Sequence, residues 1–104
     1  IFEPHRFSRT QQLFEDFVKV LSQIDHLLLL DIYPASESPI RGISSKKLVA
    51  AINQNNGNAI NVSNISAHKW LEENFNDYDV LLTQGAGTIS QLNHSIKTKW
   101  ALKK

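Results

Sequence analysis

From residue 8 onward the apolar side chains Leu13, Phe14, Phe17, Val18, Leu21 and Ile24 recur at three- and four-residue steps among polar neighbours. That spacing gathers them on one face and predicts an amphipathic helix over residues 8–25. Ser8 followed by Gln11 fits a capping box, in which the hydroxyl takes an orphan amide and the glutamine reaches back, so the helix is expected to start at Ser8. Over residues 26–33 the period changes: Leu27, Leu28, Leu29 and Leu30 run together and Asp31 closes the run. A short, nearly continuous apolar stretch is the pattern of a strand covered on both faces in a parallel sheet. Pro34 stops it.

Residues 34–43 carry Pro, Ser, Glu and Gly without periodicity and read as a surface loop. Ser44 and Ser45 are expected to cap a second helix through about Gln54, with Leu48, Val49 and Ile52 inward. Asn55-Asn56-Gly57-Asn58 ends it, the glycine tolerating left-handed backbone. Residues 59–62 predict a strand, Ser66 the cap of a helix carrying Ala67, Trp70, Leu71 and Phe75 inward, and residues 79–83 another strand. A last helix is expected over 88–102, with Ile89, Leu92, Ile96 and Trp100 on one side. The opening Ile1-Phe2-Glu3-Pro4 reads as the end of a strand, so the chain is expected to be a piece of a longer one.

Strands alternating with helices point to βαβ units with right-handed crossovers. The expectation is an α/β fold: a Rossmann-like, mostly parallel sheet flanked by helices, in a single domain over residues 1–104. Ligands of open parallel sheets sit beyond the carboxyl ends of the strands. Four stretches follow a predicted strand: residues 5–9, 31–43, 63–66 and 83–90.

Composition narrows the chemistry. The 104 residues are 41% hydrophobic and 20% charged, a globular balance, and the formal charge of +1 is too small to favour nucleic acid or an anionic membrane as a partner. The absence of cysteine excludes disulfides, thiolate metal sites and thiol nucleophiles. His5, His26, His68 and His94 show no metal-ligand spacing, so no metal site is expected. The four-leucine run is far short of the roughly 18–20 apolar residues of a membrane helix. Neither a GxxxxGK[ST] phosphate loop nor a GxSxG elbow occurs.

Three clusters remain. His5-Arg6-Phe7-Ser8-Arg9 sets an imidazole, two guanidiniums and a hydroxyl between a strand end and a helix start, where phosphate or carboxylate is favoured. The alternative is that Arg6 and Arg9 are solvated or paired with Glu15 or Asp16. Asp31 ends an apolar strand where an acid can meet a ligand amine or hydroxyl, or merely terminates the strand, with Tyr33 packing on the loop. The turn containing Gly85 and Gly87 stands between a strand and a helix, a context in which backbone approaches phosphate and in which glycine equally permits tight packing.

Together, residues 2–10 (FEPHRFSRT), residues 31–40 (DIYPASESPI) and residues 84–87 (QGAG) resemble the C-terminal domain of the Mur ligases, in particular those acting on UDP-N-acetylmuramate and L-alanine. The three blocks fall in the family's order, each at a predicted strand end, and the resemblance spans nearly the whole chain. It implies a cytoplasmic bacterial ligase of peptidoglycan synthesis, hence of cell wall biogenesis, cell shape and cell division. Such an enzyme has three domains, and the middle one, absent from this chain, binds ATP and Mg2+. ATP phosphorylates the muramyl carboxylate, the amine of L-alanine attacks the acyl phosphate, and an amide forms with release of ADP and phosphate. On this resemblance Arg6 is the catalytic arginine, His5, Asp31 and Tyr33 bind substrate, Gly85 and Gly87 contact the nucleotide, and the chain alone is inert. Glu3 stands where the family often has glutamine, and Ser36 where it often has glycine. The competing reading is a stand-alone small α/β module that binds a nucleotide or anion without catalysis.

Overall fold

Four consecutive leucines can be buried together only if alternate side chains find apolar cover on opposite faces of a sheet. The computed structural model, which describes residues 1–77 and 80–103, shows that arrangement. Strand β1 (Leu27–Leu29) pairs in parallel with β2 (Ala59–Asn61), Leu27 opposite Ala59 and Leu29 opposite Asn61. On the other side of β1, the Phe2 amide donates to Leu28 O at 2.9 Å and the Leu30 amide to Phe2 O at 2.9 Å. Farther along, Tyr33 N–H donates to Pro4 O at 2.8 Å and Arg6 N–H to Tyr33 O at 2.7 Å. Phe2 also bridges in parallel to Gln84. Segments 59–61, 27–29, 1–5 and 84 thus lie side by side in that order, with a regular two-stranded parallel sheet at one end.

Among the described residues five α-helices flank these segments: α1 (Phe7–Gln12), α2 (Phe14–Leu21), α3 (Ser45–Gln54), α4 (Asn64–Asn74) and α5 (Ile89–Lys103). Leu28 and Leu30 pack with Ala67 and Leu71 of α4 and with Ile89, Leu92 and Ile96 of α5. Leu27 and Leu29 pack with Leu21 of α2, Leu48 and Ile52 of α3, and Ala59. The α/β expectation is met, with helices on both faces. Among the described residues no helix is long and apolar enough to cross a membrane.

Several local expectations are corrected. The helix expected over 8–25 is two helices separated at Leu13 (φ −105°, ψ 13°), although Leu13 N–H to Arg9 O (2.9 Å) and Phe17 N–H to Leu13 O (2.8 Å) carry the turn across. The second ends at Leu21, after which the Gln23 and Ile24 amides turn to carbonyls three residues back, Val20 O at 3.2 Å and Leu21 O at 3.3 Å, and Ile24 is exposed. Ser8 is not a cap: it lies inside α1, and Arg6 precedes the helix without a side-chain cap bond. Ser44 does cap α3, accepting the Lys47 amide at 3.2 Å.

After α3, Asn56 rather than Gly57 takes the left-handed backbone, at φ 65°. Gly57 is needed for closeness, since a Cβ there would lie 2.4 Å from Ile52 Cγ2 and 2.8 Å from Ile52 O. Helix α4 starts earlier than expected, with Ser63 in place of Ser66 accepting an amide, that of Ser66, at 3.1 Å. In the strand expected over 79–83, Asp79 lies outside the described residues and residues 80–83 form no regular strand. Val80 and Leu82 are 82% and 68% exposed, so this segment lacks the cover on both faces that the pattern implied.

Candidate functional site

The site begins with a backbone that L-residues rarely adopt. Arg6 joins the first strand segment to α1 with φ 69° and ψ 143°. A non-glycine residue held in such a region costs about 1–3 kcal/mol and persists only where its surroundings over-determine it. They do so here. The parallel bridge between His5 and Tyr33 sets the residue before it, and the Arg6 amide is tied to Tyr33 O. The Arg6 carbonyl accepts both the Thr10 amide, at 3.2 Å, and the Thr10 hydroxyl, at 2.8 Å.

Backbone groups therefore hold Arg6 in the fold while the residue itself is exposed. It lines an open cleft of about 910 Å³ with His5, Arg9, Gln12, Gln84 and Gly85. Two guanidiniums and an imidazole around one hollow suit a carboxylate or phosphoryl group, which arginine forks bind in pairs. The His5 ring stacks on Tyr33 with centroids 5.7 Å apart, and its buried Nδ1 has no hydrogen-bond partner.

Glu3 also borders the cleft but is committed elsewhere. Only 4% exposed, it accepts the Gly87 amide at 3.1 Å and the Ile89 amide at 3.3 Å on Oε1, and the Thr88 hydroxyl on Oε2. An internal carboxylate thus takes the amides at the start of α5. A Cβ on Gly87 would lie 2.5 Å from Tyr33 Cγ and 2.8 Å from Glu3 Oε1, and one on Gly85 would lie 3.0 Å from Glu3 Cβ. The turn packs closely on Glu3 and Tyr33 at Gly87, whose amide Glu3 takes, which is the close packing that glycine permits, while Gly85 still borders the open cleft.

Of the expected substrate-binding residues, His5 lines the cleft, and Tyr33 stands behind it, its ring against His5 and Gly87. Asp31 stands apart at the β1–β2 side, exposed, accepting Asn61 Nδ2 at 3.2 Å. Ser63, in the stretch 63–66, serves the start of α4. A more apolar hollow of about 1090 Å³ lies at the opposite, amino-terminal end of β1, lined by Phe17, Val20, Ile24, Trp70 and Leu82 among others, and it includes neither Arg6 nor Arg9.

Two contributors have no local sequence signature. Thr10 is fully buried beneath Arg6. Glu37 reaches back from the loop to receive the Ser8 amide on Oε1 at 3.1 Å and the Ser8 hydroxyl on Oε2. The turn that delivers it is bent through two left-handed non-glycine residues, Ala35 (φ 49°) and Ser36 (φ 72°), and closed by Glu37 N–H to Pro34 O at 2.9 Å.

The Ser8 hydroxyl, then the Ser8 amide and more weakly the Arg6 charge, hold the Glu37 carboxyl below the ordinary carboxylate range. A depressed folded value means that this contact is fully present above the unfolded value and is lost as pH falls through the folded one. The Ser8 amide resonance is therefore expected to titrate with a midpoint below that of an unperturbed glutamate, and Glu37→Gln should abolish that titration. A midpoint at the ordinary glutamate value would contradict the contact. No family model matches the chain.

Proposed function

We propose that the chain is the C-terminal domain of a Mur ligase that joins L-alanine to UDP-N-acetylmuramate, with ATP as phosphoryl donor, in bacterial peptidoglycan synthesis. On this reading the sheet is Rossmann-like and the domain works in the cytoplasm beside a middle, ATP-binding domain. The observation that carries the proposal is Arg6: a strained, exposed arginine, fixed by its backbone at a strand end and facing a cleft with His5 and Arg9. Strain of that kind concentrates where a side chain must be aimed. Acyl phosphate formation and its attack by an amine build negative charge on phosphoryl and tetrahedral oxygens, and preorganised guanidinium donors stabilise such charge.

Two further details support the resemblance. Ser36, where the family often has glycine, has the left-handed φ of 72° that glycine adopts without strain. Glu3, where the family often has glutamine, uses one oxygen for two amides and the other for a hydroxyl that can also accept, so a glutamine fits the same place.

The test is to read the coding sequence upstream of Ile1 and assay the encoded protein. A GxxxxGK[ST] loop in frame, and ADP release that requires both UDP-N-acetylmuramate and L-alanine, are the expected results, with the 104-residue chain alone releasing none. An open reading frame without the loop, or ADP release indifferent to L-alanine, would overturn the proposal. In that case an anion-binding module would account for the cationic cleft.

A further inference from the structure

Thr10 is an odd residue for its place. It sits within α1, 0% exposed, where a β-branched side chain is a poor helix former and a hydroxyl needs a partner. A valine would fill the same volume without that need. The hydroxyl donates to the carbonyl four residues back, a local bond that competes with regular helix geometry and bends helices. Here that carbonyl belongs to Arg6, the residue with the strained backbone. At 2.8 Å against 3.2 Å, the hydroxyl makes the shorter of the two bonds that Thr10 gives to it.

The Arg6 amide is already tied to Tyr33 O, so the direction in which its side chain leaves depends on holding the next peptide unit as well. We infer that Thr10 is a positioning residue: its buried hydroxyl anchors the Arg6 carbonyl, keeps Arg6 in its left-handed backbone and so aims the guanidinium into the cleft. Without the anchor, Arg6 can relax to a negative φ and the guanidinium swings away from the oxygens it serves. The consequence for catalysis rests on the proposed role of Arg6 in ligation, whereas the conformational claim does not.

The experiment uses Thr10→Val and Thr10→Ser, in the 104-residue chain for conformation and in the intact ligase for turnover. At positive φ the amide and Hα protons of one residue lie close together, so Arg6 should give a strong intraresidue cross-peak in the unaltered chain and in Thr10→Ser, and a weak one in Thr10→Val. In the ligase, Thr10→Val should lower kcat by roughly 10- to 100-fold, the scale of an ångström-sized misplacement, and Thr10→Ser should restore most of it. Combined with Arg6→Ala, Thr10→Val should add no further loss, because the two changes remove one interaction. A strong cross-peak in Thr10→Val, or an equal loss on top of Arg6→Ala, overturns the inference. Normal turnover by Arg6→Ala would sink the ligase reading instead, and the cross-peak would still decide the role of Thr10. Should Thr10→Val fail to fold, Thr10→Ala removes the same hydroxyl with a smaller side chain and is read in the same way.

Discussion

On the proposed ligase function, Arg6→Ala in the intact enzyme is expected to slow turnover by about 100- to 1000-fold, or roughly 3–4 kcal/mol of transition-state stabilisation, the usual consequence of losing one preorganised charge-stabilising donor. The melting temperature should stay close to that of the unaltered protein. Both expectations follow from how the residue is held: the fold uses its amide and carbonyl, bonded to Tyr33 and Thr10, and an alanine keeps both. Alanine is also no better suited to φ 69° than arginine, so no strain is relieved. Arg6→Gly separates the two properties further, because glycine adopts that backbone freely, and it should be inactive yet at least as stable. Arg6→Lys should recover only part of the rate, since lysine keeps the charge and loses the planar fork. If Arg6 were instead a structural partner of Glu15 or Asp16, Arg6→Ala would lower the melting temperature and leave turnover near normal. Measuring both on the same purified variants decides between the two.

The largest loss of stability is expected from Glu3→Ala. This buried carboxylate joins the first strand segment to the start of α5, eighty-odd positions along the chain, through Gly87, Thr88 and Ile89. Truncation leaves two amides without their acceptor, empties the space beside Tyr33, and removes a cap, effects that together are on the order of 2–4 kcal/mol. Glu3→Gln should cost far less, because the amide oxygen can still receive the Gly87 and Ile89 amides and its NH2 can donate to Thr88. Chemical denaturation of the three proteins provides the test. Equal stability of Glu3→Ala and the unaltered chain would show that this contact does not hold the helix.

Those two predictions draw on different kinds of information. That Arg6 stands between a strand end and a helix start was legible in the sequence, because a basic cluster at that junction is a local arrangement, and so was the α/β character of the chain. The four leucines of residues 27–30 carried their own burial, since an apolar run that long in a short strand has to be covered on both faces. Ser44 as a cap was equally local, its partner being three residues away.

What the tertiary structure alone decided is where groups distant in sequence take one another's partners. Glu37 claims Ser8 across 29 positions, so the serine that looked like a cap became a donor and α1 started elsewhere. Glu3 claims the amides of Gly87 and Ile89 across more than 80, which ties the glycine turn to the first strand segment, and Asp31 lies beside Asn61, outside the cleft. Periodicity reports which faces are apolar, and local spacing reports bonds within one turn of helix. Neither reports which of several hydrogen-bonding groups will be nearest once the sheet brings residues 2, 29, 61 and 84 into one row. A buried donor or acceptor must then find a partner among whatever the fold has placed beside it.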